Sequence, residues 1–124
     1  MIDKINPTKT SAWSMLKAHF AQINQVKMTD LFHQDPARFD RFHLNWNDFL
    51  VDFSKNRITA ETLELLLELA RECKLSNGIE AMFTGIKINE TEDRAVLHTA
   101  LRNPVNFPGN TSGADFRPEI GIVL

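Results

Sequence analysis

Cysteine is scarce in this sequence, and an excess of basic residues is lacking. The single Cys73 excludes a disulfide within the chain. Fourteen Lys and Arg stand against sixteen Asp and Glu, so there is no basic field for binding nucleic acid or anionic lipid. The first thirty residues contain neither the apolar core of a signal peptide nor an apolar run of membrane-spanning length. These absences favour a cytoplasmic protein with no nucleic-acid or membrane partner.

The length and the apolar content predict a single segment with one core. The chain has 124 residues, of which 43% are hydrophobic. We expect a mostly α fold with one short strand, since most periodic segments have helical spacing. The predicted organisation is helical in residues 1–44, strand and helices in 45–103, and a loop with a truncated helix start in 104–124.

The amino-terminal segments show helical punctuation. Thr10 or Ser11 is suited to cap a first helix. Its apolar residues recur at steps of three and four, which predicts one buried face made of Trp13, Leu16, Phe20 and Ile23. Two short helices are predicted to follow. One begins at Thr29-Asp30, and the other is capped by Asp35 with Pro36 at its first position.

The middle of the chain predicts the strand and a long helix. Aromatic and β-branched residues concentrate between Asn45 and Ser54, which indicates one strand. Thr59 then caps a leucine-rich helix with Glu61 in its first turn. The leucines cover so much of its circumference that we expect covering structure on more than one side.

Three further boundaries are predicted towards the carboxyl end. Asn77, with Glu80 three residues later, is a capping pair for a helix that Gly85 ends in a left-handed conformation. Residues 86–88 are expected to be extended, and Thr91 to begin a helix that continues to Arg102. Pro118-Glu119 opens another helix, but only a few aliphatic residues follow it. Because natural termini rarely look like this, we expect the sequence to be truncated.

Two groups of cations are candidates for anion binding. Lys55 and Arg57 follow the predicted strand, at a turn where α/β proteins bind ligands. The alternative is a solvated or ion-paired turn, favoured because no glycine-rich cradle is present. Arg94, His98 and Arg102 share a face of the predicted last helix. The alternative there is an ordinary polar face, since His98 has no orienting carboxylate.

No other residues form a recognisable site. His19, His33 and His43 are too scattered for zinc, and Cys73 has no neighbouring ligand. The glutamates of the leucine-rich helix describe its solvated side; they are Glu61, Glu64, Glu68 and Glu72. No nucleophile elbow, phosphate loop or dinucleotide fingerprint occurs. The sequence therefore predicts no catalytic, substrate-binding or metal residue and no cofactor within this chain.

Two blocks of sequence, residues 50–58 and 88–103, resemble the amino-terminal region of the glucose-6-phosphate isomerase family. Their letters are LVDFSKNRI and INETEDRAVLHTALRN. The order of Ile5-Asn6-Pro7, Trp13, residues 82–85 (MFTG) and Pro118-Glu119 is also similar to that family. Phe53 departs from the family's usual Tyr, and residues 105–113 do not align closely. Neither departure weakens the resemblance, which covers nearly the whole chain.

The resemblance implies that this chain is the amino-terminal part of a larger α/β enzyme, which is built of α-β-α sandwich domains. Such enzymes interconvert glucose 6-phosphate and fructose 6-phosphate in glycolysis and gluconeogenesis. They do so without metal or cofactor, as cytoplasmic homodimers, with a Glu moving a proton through an enediol. The family's phosphate loop, catalytic Glu and ring-opening His and Lys correspond to sequence beyond Leu124. This chain is therefore expected to support the rest of the isomerase and to be inactive alone.

Two rival hypotheses remain open. The chain could be a free-standing, non-catalytic helical interaction module derived from such an enzyme. It could also be a small enzyme in its own right that uses Arg94 and His98. A coding sequence continuing past Leu124 separates the isomerase fragment from both.

Overall fold

The computed structural model describes residues 3–96. This described part divides into two compact units, one formed by residues 7–69 and the other by residues 3–6 with 70–96. The described part is mostly helical, with one two-stranded antiparallel sheet, so the predicted fold class is confirmed. A 3₁₀ turn at Pro7–Lys9 precedes the regular elements. These are α1 (Ser11–Ile23), α2 (Met28–Gln34), α3 (Arg38–Arg41), β1 (His43–Trp46), β2 (Phe49–Asp52), α4 (Ala60–Glu72) and α5 (Leu75–Phe83).

Helix α1 begins where the capping pattern predicts it. The side chain of Thr10 accepts a hydrogen bond from the backbone N–H of Trp13 at 3.2 Å, so Thr10 is the N-cap. The buried face differs from the predicted one, because Ala12 and His19 are buried whereas Phe20 is 64% exposed. Three residues of the predicted face instead line a shallow surface groove of about 250 Å³; they are Trp13, Leu16 and Phe20, and Lys17 lines the groove with them.

Helices α2 and α3 are short, as predicted, but begin at other residues. Helix α2 follows Lys27, which makes no side-chain capping bond, and it buries Leu31. Helix α3 follows Ala37 rather than Asp35. The backbone carbonyl of Asp35 still accepts the N–H of Arg38 at 3.0 Å, so Asp35 forms the turn that leads into the helix.

The segment predicted as one strand, between Asn45 and Ser54, contains the end of β1, a turn and the whole of β2. Trp46 pairs with Phe49, and a two-residue turn, Asn47-Asp48, joins them. Asn47 has a φ of 50°, a conformation that Asn adopts more readily than most residues. The aromatic residues that suggested a single strand lie on both sides of this turn. The result is a hairpin instead of one strand.

Helix α4 has a reciprocal cap at its first turn. The hydroxyl of Thr59 accepts the N–H of Thr62 at 3.3 Å, and the hydroxyl of Thr62 accepts the N–H of Thr59 at 2.9 Å. This is the geometry of a capping box with Thr at the third helical position. Leu66 and Leu67 are each 43% exposed, as expected of a helix that needs further covering structure.

The described segments after α4 correct two predictions and confirm one. Helix α5 begins at Leu75, after a left-handed Lys74 (φ 52°), so Asn77 lies inside the helix and is not its cap. Gly85, with a φ of 73°, ends the helix as predicted. Residues 91–93 form a turn instead of a helix start, because Arg94 pairs back to Asn89 through two backbone bonds of 3.1 Å. The rest of the predicted helix, through Arg102, lies outside the described residues.

Within residues 3–96, the helices are too short or too polar to cross a lipid bilayer.

Candidate functional site

The most constrained side chain in the 7–69 unit is a buried cation, Arg38. It is 2% exposed. Its Nε donates to the carbonyl of Ser54 at 2.7 Å, and its Nη2 donates to the carbonyls of Asn56 and Ile58, both at 2.8 Å. The guanidinium also lies 4.5 Å from the centre of the Phe42 ring. Arg38 therefore fixes the backbone that connects β2 to α4.

These contacts compensate the buried charge without a carboxylate. No described carboxylate lies within ion-pair distance of Arg38. A buried cation is costly unless hydrogen bonds or opposite charges replace its hydration. Backbone carbonyls and the face of Phe42 supply part of that replacement. Sequence reasoning missed this residue because its partners lie 16 to 20 residues away along the chain.

A cavity of about 180 Å³ lies beside Arg38. Its polar lining comes from Gln34, Asp35, Arg41 and Thr59, in addition to Arg38. Arg41 donates to the carboxylate of Asp35 at 2.6 Å. The cavity is thus lined by two cations and one anion, next to the amino-terminal end of α4.

The predicted cation pair in the β2–α4 connection does not converge on a common point. Arg57 donates through Nη1 to the backbone carbonyl of Asn24 at 2.9 Å. Lys55 is exposed, and no described contact joins it to Arg57. Hydrogen bonding by Ser54 lowers the pKa of Asp52, and the side chain of Ser54 has the larger effect. The backbone N–H of Ser54, which donates to the Asp52 carboxylate at 2.9 Å, has the smaller one. The contacts of this connection are therefore local or with backbone, which favours the structural alternative.

A second buried polar cluster connects α1 to the first turn of α4. His19 is 4% exposed. Its Nε2 lies 2.7 Å from the hydroxyl of Thr62, and its Nδ1 lies 3.5 Å from a carboxylate oxygen of Glu61. The order carboxylate, imidazole, hydroxyl is that of a nucleophilic triad.

The remaining geometry of this cluster is structural. Thr62 is 8% exposed, and its hydroxyl already accepts the N–H of Thr59 in the capping box. The cavities described beside α1, beside Ile86 and beside Arg38 are lined by residues other than His19 and Thr62. Since a nucleophile must reach its substrate, we assign His19 the role of holding the start of α4 against α1.

The candidate face of Arg94, His98 and Arg102 is only partly within the described residues. Arg94 donates to the carboxylate of Glu92 at 2.5 Å, so its charge is locally paired. His98 and Arg102 lie outside the described residues. In the same unit, the hydrogen bond from Lys74 lowers the pKa of Asp3, whose carboxylate is 2.5 Å from that ammonium.

The remaining histidines have separate environments. His33 is exposed, whereas His43 bonds the carbonyl of Phe39 at 2.8 Å and stacks on that ring with centroids 4.5 Å apart. Cys73 is half-buried and forms no disulfide. Among residues 3–96, no three His, Cys, Asp or Glu side chains are grouped closely enough to hold a metal ion.

The hairpin has one wholly apolar and exposed face. From the strand register, this face carries Leu44, Trp46, Phe49 and Val51, which are 62%, 68%, 63% and 52% exposed. The Trp46 and Phe49 rings stack with centroids 5.6 Å apart. The opposite face carries His43, Asn45, Leu50 and Asp52 and is mainly polar. We call the first set the apolar hairpin face.

Comparison with known families gives a match that begins where the hairpin ends and continues to the last residue of the sequence. The family model of phosphoglucose isomerase matches residues 52–124, which is more than half of the chain. The match begins at the last residue of β2 and includes both the connection held by Arg38 and helices α4 and α5. The chain therefore belongs to the phosphoglucose isomerase family.

Proposed function

We propose that this chain is the amino-terminal part of an isomerase that interconverts glucose 6-phosphate and fructose 6-phosphate. The observation that carries the proposal is the family match over residues 52–124. The enzyme would act in glycolysis and gluconeogenesis, in the cytoplasm, as a homodimer. The 124-residue chain supplies support to this enzyme and does not catalyse the reaction by itself.

The chemistry of the proposed reaction explains why we expect no activity from the chain alone. Moving a proton between the first two sugar carbons needs a carboxylate within hydrogen-bond reach of the carbon-bound proton. It also needs donors for the oxyanion that develops in the enediol. Within the described residues, the one carboxylate–imidazole pair is Glu61 with His19, and that imidazole is buried against Thr62. We therefore place the acid-base groups in a further part of the isomerase.

The apolar hairpin face favours the proposal that this chain packs against the rest of the isomerase. Four large apolar side chains, each more than half exposed, form one continuous surface. Surfaces of this kind mark interaction sites, because leaving them in water is unfavourable. We propose that the remainder of the isomerase chain covers this face. A second copy is a poorer occupant, since a stable dimer buries about 800 Å² per partner and four side chains provide roughly half of that.

The first experiment is an activity assay with the purified chain. A coupled assay is run in both directions, from glucose 6-phosphate and from fructose 6-phosphate, with His98→Ala as the matched variant. We expect no turnover above the buffer rate for either protein. Turnover that disappears in His98→Ala would overturn the fragment proposal and establish the small-enzyme hypothesis.

A second experiment separates the isomerase fragment from the interaction module. An antibody raised to this segment is used to measure the mass of the native polypeptide in its source cells. A band several times heavier than 14.2 kDa, with isomerase activity in the same immunoprecipitate, is the expected result. A band at 14.2 kDa without that activity would overturn the proposal in favour of the non-catalytic interaction module.

A third measurement tests the covering of the apolar hairpin face. The isolated chain should bind a fluorescent hydrophobic dye, and Trp46→Ser with Phe49→Ser should reduce the signal because both rings are exposed. The matched control is Asn45→Ser with Asp52→Ser, on the opposite face of the hairpin. Equal dye signals from both double variants would contradict the assignment of this face.

A further inference from the structure

We propose that the cavity beside Arg38 binds a small anion of phosphate size. Neither the family match nor the proposed isomerase reaction assigns this cavity. Three observations support this proposal: a donor nitrogen of the buried Arg38 that its backbone contacts do not use, the charges around the cavity, and the cavity's size.

The guanidinium of Arg38 has a donor nitrogen that its backbone contacts do not use. Its hydrogen bonds to carbonyl oxygens use Nε and Nη2. No described hydrogen bond uses Nη1. Among the described residues, the enclosed side-chain polar atom without a partner is Nδ1 of His19 and not this nitrogen, so Nη1 reaches open space. The side chain is 2% exposed, and the open space beside it is the cavity. A nearly buried cation therefore has a donor nitrogen available for an acceptor in that space.

The other charged side chains at the cavity are those of Arg41 and Asp35. Arg41 also lines it, with a side chain that is 63% exposed. Thr59 and Ala60 bring the amino-terminal end of α4, where backbone N–H groups and the helix dipole favour negative charge. Asp35 is the one carboxylate in the lining, and it is paired with Arg41. The balance of charge around the cavity is positive.

The cavity is large enough for a small anion. A volume of about 180 Å³ is roughly six times the share of one water molecule in the liquid. Inorganic phosphate with part of its hydration fits such a volume. Two guanidinium groups supply the planar donors that phosphate oxygens accept in charge-assisted hydrogen bonds.

The test is a titration of the whole chain with inorganic phosphate at pH 7, with sodium chloride added to hold the ionic strength constant. The backbone N–H signals of Ala60 and Glu61 are followed by NMR. We expect saturable shifts at these signals. The absence of saturable shifts in the wild-type chain would overturn the proposal.

Two variants separate anion binding from a structural effect, because both break the same ion pair. Arg41→Gln removes a cation and should raise the phosphate Kd about tenfold. Asp35→Asn removes the competing carboxylate and should lower the Kd. A structural effect of losing the Asp35–Arg41 pair, whose N–O distance is 2.6 Å, would move the Kd in one direction for both variants.

The matched control is Arg94→Gln, which breaks an exposed Arg–carboxylate pair of similar length (2.5 Å) in the other unit. Its phosphate Kd should equal that of the wild type. Changes of the same sign in Arg41→Gln and Asp35→Asn, or an equal loss of affinity in Arg94→Gln, would overturn the proposal.

Discussion

Replacing Arg38 with Met should destabilise the 7–69 unit more than any other single charge removal in it. Met keeps much of the length and the apolar stem of the side chain, but it removes three hydrogen bonds to carbonyl oxygens. Each hydrogen bond to a charged group contributes about 1.5–3 kcal/mol, and the contact over the Phe42 ring about 1 kcal/mol.

These contributions do not add in full, because all of them depend on one guanidinium. Met also leaves the carbonyl of Ser54, which is 2% exposed, without its donor. We therefore expect a loss of about 3–5 kcal/mol in the free energy of unfolding, which is less than the simple sum of these contributions. With a slope of about 1–2 kcal/mol per molar urea, the urea midpoint of unfolding should fall by roughly 2 M.

The assay is urea unfolding followed by tryptophan fluorescence, since Trp13 and Trp46 both belong to the 7–69 unit. Hydrogen exchange at the N–H groups of Asn56 and Ile58 reports the same connection without requiring a single cooperative transition. The control is Arg41→Met, which removes one exposed ion pair and should cost about 0–1 kcal/mol. Equal destabilisation by Arg38→Met and Arg41→Met, with unchanged exchange at Asn56 and Ile58, would refute the reasoning.

Three further predictions concern local backbone and charge. Asn47→Ala should cost about 1 kcal/mol because a φ of 50° is unfavourable for Ala, whereas Asp48→Ala in the same turn should cost less; equal losses would contradict the assigned turn. Lys74→Gly should raise the free energy of unfolding by up to about 1 kcal/mol, because Lys74 has a φ of 52°, which glycine adopts more readily than lysine. It is measured in an Asp3→Asn background, which already lacks the ion pair of Lys74. The lowered pKa of Asp52 means that its ionised form stabilises the fold above the ordinary value of 3.8, and this contribution is lost as the pH falls through the lower folded-state pKa. The stability of Asp52→Asn should therefore depend less on pH below about 4 than that of the wild type, and parallel pH profiles would contradict the assignment.

Local signals in the sequence predicted the helix starts that depend on one neighbouring turn. Thr10 and Thr59 cap α1 and α4 because their hydroxyls bond N–H groups three residues later. Gly85 likewise ends α5 because glycine adopts its positive φ without a steric penalty. In each case the sequence separation of the interacting groups is small, so the pattern is visible without the fold.

The differences arise where a competing turn or a distant contact decides the geometry. Asn47 reverses the chain inside the predicted strand, and no side-chain periodicity marks that reversal. Arg94 pairs back to Asn89, which replaces the helix start predicted at Thr91. Helix α1 buries His19 because Thr62 of another helix offers a hydroxyl at 2.7 Å, a contact 43 residues apart in the sequence.

The candidate site was harder to predict than the fold, for the same physical reason. The cations of the β2–α4 connection were visible as a sequence pattern, and one of them, Arg57, contacts the backbone of Asn24. Arg38 was not visible, because its role depends on carbonyl groups, which every residue carries and no sequence pattern reports. The resemblance of two sequence blocks to the isomerase family, in contrast, agrees with the family match over residues 52–124.

The small apolar core of the described residues explains why buried polar groups have so large a structural role. The buried hydrophobic residues are Ala12, Leu31 and Phe42 in the 7–69 unit and Ala81 in the other unit. A core of this size stabilises a fold weakly, and apolar contacts do not specify direction. Hydrogen bonds from Arg38 do specify direction, because each requires a carbonyl at a defined distance and angle. The connection from the hairpin to α4 is thus positioned by polar contacts within the unit.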